Sequence, residues 1–414
     1  MRIYSFRGWR PRPDLAAQLA SRPYDVVTTD EAAKLAEGKP YSFYHVTRSE
    51  IDLPAGTDLY DPQVYEKAAE NFRRFCHEEA LTQDEQPSLY LYRLTMGAIE
   101  PPGGGHAQTG LVCCLGVDDY DNNVIKKHEL TRRDKEEDRT RHILATRAHC
   151  GPVLIAYRRR EGLDRLVEQD TAGEPLYDFV AEDGVRHTVW KVTHPKPFTE
   201  AFRPVPAAYI ADGHHRAASA ARVRARLRAE NPAHRGDEEY NRFLAVVFPD
   251  AQLQILAYNR VVKGLNGQTL RQFLDAVGRV FAVATDAPAT PDRPGRISML
   301  LGDRWYGLSV PAELAEAADP VARLDVSILQ QALLDPVLGI KDPRGDKRID
   351  FIGGVHGTDA LVERVRSGTA DVAFSLHPVR VQDLMAIADA GGVMPPKSTW
   401  FEPKLRSGLV VHTI

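Results

Sequence analysis

Short apolar runs alternate along this chain with segments in which apolar residues recur every three or four positions. The second pattern is typical of a helix with one buried face, and residues 64–79 show it with Ala68, Phe72 and Phe75 on one side. The short runs, rich in β-branched and aromatic residues, predict strands. They lie at residues 23–27, 41–47, 88–96, 108–120, 151–157, 241–249 and 253–262. Residues 100–106, EPPGGGH, predict a turn. The pattern therefore predicts a mixed sheet of several strands with helices.

The pattern changes after residues 264–267, where two glycines enclose a Leu-Asn pair. Residues 270–281 then predict a helix, and residues 297–310 predict a hairpin that turns at a Gly-Asp pair. Beyond the hairpin, predicted strands and helices alternate. We therefore expect two domains, residues 1–263 and residues 264–414, of which the second is a smaller C-terminal α/β module.

The 414 residues carry a formal net charge of −4 and are 43% hydrophobic and 27% charged, which is ordinary for a globular protein. This balance predicts no general affinity for nucleic acid or for an anionic membrane surface. No apolar stretch reaches the length of about 18 residues that spans a bilayer. The four cysteines lack metal-binding spacing, which fits a reduced cytoplasm. We expect neither a membrane nor nucleic acid as a partner, and homo-oligomer formation is left open.

Two helical segments carry dense charge. Residues 131–149 mix both signs, and arginines occupy alternate positions from 222 to 228. Alternate positions do not share a face of a helix, and no aromatic residues interleave with these arginines. Both segments are therefore interpreted as solvated faces rather than as nucleic-acid readers.

The sequence YIADGHHRAASAA predicts a strand, a tight turn and a helix, with a polar cluster at the turn. The first N–H groups of a helix lack internal partners and can bind an anion. Gly213 leaves the backbone open to a phosphate, and Arg216 offers a planar fork for its oxygens. His214 and His215 can donate further hydrogen bonds. Asp212 would repel phosphate unless a cation lies between them, which implies Mg²⁺. The cluster is therefore a candidate site for nucleotide phosphates.

Two other interpretations of this cluster stay open. In the first, Asp212 is the N-cap of the helix, and His214 and His215 are ordinary surface residues. In the second, the aspartate and both histidines bind zinc. Adjacent histidines on a helix point about 100° apart, however, so both rarely reach one ion.

Two further segments contain candidate chemistry. In KKHELTR, Glu129 follows His128 and could act as a general base near the first cluster; the alternative is a solvated charged turn. In PPKSTWFEPK, Lys397, Ser398 and Thr399 supply a cation and hydroxyl groups suited to a small carboxylate. The alternative for this segment is a loop that enters a final strand.

Together, several segments resemble, over most of the chain, a large bacterial family of unknown function that is often tagged as SerK-like. The segments that carry the resemblance are RPYDVV, FYHVTR, KKHELTRRDKEEDRTRH, YIADGHHRAASAA and PPKSTWFEPKLRSG. The DGHHR motif also resembles the free-serine kinases of the ParB/sulfiredoxin superfamily. In those kinases a His-Glu pair precedes DGHHR, and a PKTT-type segment closes the chain. The counterparts here are His128-Glu129, residues 212–216 and residues 396–399.

The resemblance implies a role for each motif. His128 and Glu129 would be catalytic, with Glu129 accepting the proton of the substrate hydroxyl. Residues 212–216 would hold the nucleotide phosphates, and Asp212 would also be a ligand of Mg²⁺. Residues 397–399 would lie near the carboxylate of an amino acid.

The resemblance also implies an α+β fold. Residues 1–263 would form a ParB/sulfiredoxin-like mixed sheet with helices, and the C-terminal module would contribute the substrate-side motif. The implied activity is that of a small-molecule kinase, which transfers phosphate from ATP or ADP to the hydroxyl of free serine or a similar metabolite. The alternative is a ParB-like nucleotide-binding regulatory protein without metabolite kinase activity. Glu129 distinguishes the two hypotheses, because a nucleotide-binding regulatory protein needs no general base at this position.

Overall fold

The computed structural model describes residues 1–97 and 105–414. The described chain forms two compact units. The first contains residues 1–253 together with residues 403–414, and the second contains residues 254–402. Most of the turn expected at residues 100–106 lies outside the described residues.

The first unit is built on a mixed nine-stranded sheet. Its path runs through Ile125–Lys126, Ala208–Asp212, Val153–Tyr157, Arg242–Pro249, Ala107–Gly116, Tyr90–Thr95, Arg186–Lys191 and Tyr177–Val180, while Ile3–Tyr4 pairs with Ala107–Gly116. Two neighbouring pairs are parallel, and the others are antiparallel. The predicted mixed sheet with helices is therefore present in the structure.

Helices pack around this sheet. They are Ala16–Leu19, Thr29–Ala36, Tyr44–Thr47, Pro62–His77, Val117–Asp121, Arg133–Thr146, Glu161–Thr171, Pro195–Phe202 and His214–Glu230. Helix Pro62–His77 begins where the Asp61 side chain accepts a hydrogen bond from the backbone of Gln63, and it buries Ala68, Phe72 and Phe75 as the spacing predicts. Of the helices in the described ranges, none is long and apolar enough to cross a bilayer.

Two predicted strands near the N-terminus are wrong. Residues 24–26 of the first form a single 3₁₀ turn, and residues 44–47 of the second form a short α-helix. Short apolar runs fit a buried strand and a buried helical turn equally well. Here Phe43, Tyr44 and Val46 are all buried, so the side chains do not alternate between core and solvent as in a half-exposed strand.

The second unit contains a six-stranded sheet and five α-helices within the part of the chain described. The sheet order is Ala282–Thr285, Arg304–Ser309, Arg296–Leu301, Val372–Leu376, Tyr258–Val262 and Ile349–Gly353. The helices are Leu270–Gly278, Ala312–Ala315, Asp325–Leu329, Asp359–Arg366 and Val381–Asp389. Every pairing in this sheet is antiparallel. The unit is therefore of the α+β kind, and the expectation of a smaller C-terminal α/β module is corrected.

The compact units differ from the predicted domains in two segments. The apolar run at residues 253–262 is not one strand, because it breaks at Ala257 into Gln254–Leu256 and Tyr258–Val262, which pair in different sheets of the second unit. Residues 403–414 return to the first unit, where Ser407 and Ser21 exchange two backbone hydrogen bonds. A functional division at residue 264 stays a prediction.

The returning C-terminal segment depends on a glycine. Gly408 has φ +89°, and a Cβ there would lie 2.6 Å from Leu19 Cδ2 and 2.7 Å from Phe43 Cγ. Gly408→Ala should therefore lower the free energy of unfolding by about 2–4 kcal/mol, from backbone strain and overpacking together. Chemical denaturation measures this change.

Gly184→Ala is the matched control. Gly184 also has a positive φ of +76°, but nothing lies within 4 Å of its would-be Cβ. Its substitution should cost only about 1 kcal/mol. Equal losses in the two variants would contradict the tight packing of residues 403–414 against the first unit.

Candidate functional site

The candidate site forms where two parallel strands end side by side. Ile125–Lys126 pairs with Ala208–Asp212, with Ala208 opposite Ile125 and Tyr209 opposite Lys126. The carboxyl ends of parallel neighbours emerge at the same edge of a sheet. The His-Glu pair that follows the first strand and the DGHHR turn that follows the second therefore meet.

The turn depends on Gly213. Gly213 has φ +97° and is the N-cap of helix His214–Glu230. A Cβ at this position would lie 2.9 Å from the Arg216 guanidinium carbon. No side chain caps the helix, so Asp212 is not its N-cap, and the first-turn N–H groups have no capping side chain. The turn thus has the backbone geometry of an anion site.

Two cations hold the Asp212 carboxylate. Arg216 Nη2 lies 3.1 Å from Asp212 Oδ2, and Lys404 Nζ lies 3.6 Å from the same oxygen. Burial alone would raise the pKa of Asp212, but Lys404 and Arg216 together lower it to about 2. Asp212 is therefore an anion at neutral pH, and two side chains of the protein already compensate its charge.

Arg216 is tied to the protein by both ends of its guanidinium. Nη1 donates a hydrogen bond to the carbonyl oxygen of Pro152, and Nη2 donates one to Asp212. Nε is buried and has no hydrogen-bond partner among the described residues. The protein thus engages two of the five N–H donors of Arg216, and Nε–H is among the donors left for a ligand.

His128 and His214 form a buried imidazole pair. They are 2% and 4% exposed, and their ring centroids lie 4.4 Å apart in an edge-to-face arrangement. Burial lowers the pKa of His128 to about 4, and burial together with His128 lowers the pKa of His214. Both rings are therefore neutral at pH 7. The interpretation of His214 as an ordinary surface residue is wrong.

Each of these rings has an unused nitrogen. His128 Nδ1 and His214 Nε2 are buried and have no hydrogen-bond partner among the described residues. Buried polar atoms without partners are rare in proteins and call for a physical explanation. Here they leave the neutral pair able to donate or accept hydrogen bonds at the site.

Glu129 lies beside this pair but faces solvent. Its Oε2 is 3.5 Å from His214 Nδ1, and its side chain is 54% exposed. The structure therefore brings Glu129 next to the DGHHR turn, although 82 residues lie between Glu129 and Asp212. An exposed carboxylate beside a buried imidazole can reach a bound molecule.

His215 points to the other side of the turn. Its Nε2 accepts a hydrogen bond of 3.0 Å from the backbone N–H of Arg132, and burial lowers its pKa. Arg132 immediately precedes helix Arg133–Thr146. His215 thus fastens the turn to the neighbouring segment, a contact that limits its freedom to bind phosphate.

The third predicted motif belongs to the second unit. Lys397 has φ +53°, and its carbonyl oxygen accepts a hydrogen bond of 2.9 Å from Arg260. Ser398 is 6% exposed, and its hydroxyl donates to the carbonyl oxygen of Pro395. The substrate role expected for Lys397, Ser398 and Thr399 stays a prediction.

Lys404 is the site residue that sequence analysis missed. It lies in the quoted segment PPKSTWFEPKLRSG, but nothing in that pattern assigns it to the first unit. Only the return of residues 403–414 brings its ammonium group to Asp212. A long-range contact of this kind has no local signal in the sequence.

The residues present can contribute to a magnesium site but cannot form one alone. In the described ranges, no three His, Cys, Asp or Glu side chains cluster closely enough to hold a metal ion. The zinc interpretation of the DGHHR cluster therefore lacks a ligand set. Mg²⁺ commonly uses one or two carboxylates together with phosphate oxygens and water, which Asp212 fits.

A family model described as "Protein of unknown function (DUF1015)" matches residues 3–327. The chain belongs to this family. The matched range contains His128, Glu129 and the DGHHR turn, and it ends before Lys397. A search of curated proteins finds no match.

Several solved structures are similar to the chain at low identity. A mutant of free serine kinase in complex with AMP is 15% identical with a TM-score of 0.37, and the alignment covers 72% of this chain and 91% of that chain. A conserved hypothetical protein from Pyrococcus furiosus is 15% identical with a TM-score of 0.33, covering 72% and 95%. SbnI with C-terminal truncation from Staphylococcus aureus is 15% identical with a TM-score of 0.37, covering 70% and 82%.

The lowered pKa of His128 predicts a pH dependence of stability. The unfolded chain binds a proton at His128 near pH 6.5, whereas the folded chain binds it only near pH 4. Stability should therefore be complete above pH 6.5 and fall as the pH drops toward 4, by about 3 kcal/mol from this group. Unfolding of wild type and His128→Gln, measured from pH 7 to pH 4, checks this. Parallel pH profiles for the two proteins would show that His128 is not a buried neutral residue.

Proposed function

We propose that this protein is a small-molecule kinase that transfers a phosphoryl group from ATP or ADP to the hydroxyl of free serine or a similar metabolite. The observation that carries the proposal is the position of Glu129, an exposed carboxylate beside the uncapped helix N-terminus of the DGHHR turn. Phosphoryl transfer needs bound phosphates, charge neutralisation and an oriented nucleophile, and little other chemistry from the protein. The turn and Glu129 can meet these needs.

The phosphates of the nucleotide would bind at the turn. The N–H groups of the first turn of helix His214–Glu230 supply donors, and Gly213 provides the positive φ with which the turn enters the helix. Arg216 and Lys404 add positive charge next to this position. These groups favour a polyanion over a neutral ligand.

Glu129 would act as the general base. The substrate oxygen forms a bond to the terminal phosphorus while its proton passes to Glu129, and the bond between phosphorus and the nucleotide oxygen breaks. With serine, the products are O-phosphoserine and the shortened nucleotide. His214 lies close enough to orient the Glu129 carboxylate. The neutral ring of His128 packs edge-to-face against the ring of His214.

Mg²⁺ would neutralise charge on the phosphate oxygens. Asp212 would be its protein ligand, because the carboxylate of Asp212 is ionised at neutral pH. The other ligands would be phosphate oxygens and water.

We further propose a ParB/sulfiredoxin-like architecture for the core and a substrate-side role for residues 397–399, both on the resemblance of the sequence motifs. We expect the protein to act in the cytoplasm. A nucleotide-binding regulatory protein is the alternative, and it has no use for an exposed base at position 129.

Glu129→Gln tests the base. The amide keeps the size of the side chain but cannot accept the proton, so transfer from ATP or ADP to serine should slow by about 10²–10⁴-fold with nucleotide affinity nearly unchanged. The measurement is O-phosphoserine formation by mass spectrometry, with Mg²⁺ present. Glu161→Gln, an exposed substitution at the start of helix Glu161–Thr171, is the control and should retain activity.

Two results would count against the proposal. Equal transfer by wild type and Glu129→Gln would exclude Glu129 as the base. A wild-type protein that binds nucleotide but phosphorylates neither serine nor a panel of hydroxylated metabolites would exclude the kinase and favour the regulatory alternative.

Arg216→Gln tests the phosphate site. Loss of one charge-assisted hydrogen bond should weaken nucleotide binding roughly tenfold to a hundredfold. Arg226→Gln, on the same helix but paired with Glu137, is the matched control and should bind nucleotide as wild type does. Calorimetry on both folded variants gives the comparison, and unchanged affinity in Arg216→Gln would remove Arg216 from the site.

A further inference from the structure

The second unit contains a pocket that none of the three motifs identified. Its volume is about 270 Å³, close to the lower end of the size range of small-molecule sites. Its lining includes the buried hydroxyl residue Ser398 and five charged side chains. The charged residues are Arg260, Arg323, Asp325, Arg380 and Asp383.

Arg260 is a buried cation without a counter-ion. It is 3% exposed, and its two terminal nitrogens donate to the carbonyl oxygens of Tyr258 and Lys397. Among the described residues, no carboxylate lies within ion-pair distance of it. Burial lowers the pKa of Arg260 to about 9, which reflects the cost of keeping this charge away from water. A bound anion would remove that cost.

Asp325 is an acid without a cation in the same pocket. Its two oxygens accept hydrogen bonds of 2.9 and 3.2 Å from the backbone N–H of Gly295. No described cation pairs with it, and burial raises its pKa to about 6. Arg260 and Asp325 thus line one pocket without neutralising each other.

Of the other three charged residues of the pocket, two arginines share one aspartate. Arg380 lies 2.8 Å from Asp383, and Arg323 lies 3.8 Å from the same carboxylate. These two arginines and Asp383 together keep one excess positive charge, whereas Arg260 and Asp325 have no ion-pair partner among the described residues. A ligand that matches both must carry a negative and a positive group together.

We propose that this pocket binds a free α-amino acid as its zwitterion, with the carboxylate on Arg260 and the ammonium group on Asp325. The planar guanidinium suits a carboxylate, and the half-buried Asp325 is a strong acceptor for an ammonium group. Inorganic phosphate would pair with Arg260 but would be repelled by Asp325. A simple amine would pair with Asp325 but would be repelled by Arg260. The choice of serine as the ligand rests on the proposed kinase function.

The pocket also gives the PPKST segment a structural role. Arg260 holds the backbone of Lys397, and Ser398 lines the pocket. A ligand on Arg260 would therefore lie next to residues 397–399 of the same unit. In this proposal the carboxylate expected near residues 397–399 binds Arg260 rather than the ammonium group of Lys397.

Calorimetric titration of the full-length protein with three small molecules tests the pocket. L-serine carries both charged groups, 3-hydroxypropionate lacks the ammonium group, and ethanolamine lacks the carboxylate. Serine should bind at least about tenfold more tightly than either analogue, because each analogue leaves one buried charge unpaired. The titrations are run with and without AMP, so that binding which requires a nucleotide is also detected.

Arg260→Met and Asp325→Asn should each weaken serine binding at least about tenfold. Arg304→Met is the control, since Arg304 lies in the same unit outside this pocket and is paired with Asp286, and it should bind serine as wild type does. Asn at position 325 keeps an oxygen for the Gly295 N–H, so this variant tests the pocket even if Arg260→Met does not fold.

The outcomes separate this inference from the proposed function. Serine phosphorylation with unchanged serine affinity in Asp325→Asn and in folded Arg260→Met would overturn the pocket and leave the kinase intact. Serine binding that depends on Arg260 and Asp325 in a protein without phosphotransfer would support the pocket and overturn the kinase. A wild-type protein that binds inorganic phosphate through Arg260 but does not bind serine would show that the pocket does not take a zwitterion, and it would overturn this inference.

Discussion

The parallel pairing of Ile125–Lys126 with Ala208–Asp212 is the constraint on which the candidate site depends. Only two residue pairs define it, yet it aligns the ends of both strands at one edge of the sheet. Glu129 and His214 approach each other because their strands end together. An antiparallel pairing would send the two motifs to opposite edges of the sheet. This short pairing therefore brings the His-Glu pair and the DGHHR turn together, and the other contacts of the site depend on it.

Burial then decides which charges exist at the site. His128 and His214 are held away from water. Both rings are therefore neutral at a pH at which an exposed imidazole would be partly protonated. Asp212 is also buried in part, but two cations reverse the effect and keep it ionised. The result is a fixed anion between two cations, next to a neutral imidazole pair and an exposed carboxylate. This order of charges favours a bound polyanion next to a proton acceptor.

Much of the local structure followed from the sequence. The spacing of Ala68, Phe72 and Phe75 predicted helix Pro62–His77, and the polar cluster predicted a strand, a turn and a helix at Asp212. The failures occurred where a short apolar run fits two structures, as at residues 41–47, or where one run serves two strands, as at residues 253–262. In these cases contacts with distant segments outweighed the local preference.

The sequence by itself determined the elements and the residue types that can do chemistry, because periodicity and turn residues act over a few positions. Gly213, with its positive φ, is such a local requirement. Only the tertiary structure decided that Lys404 reaches Asp212, that His128 and His214 are neutral, and that Arg260 has no counter-ion among the residues described. These properties depend on which distant segments pack together and on the water that they exclude. Neither quantity is encoded in the spacing of residues along the chain.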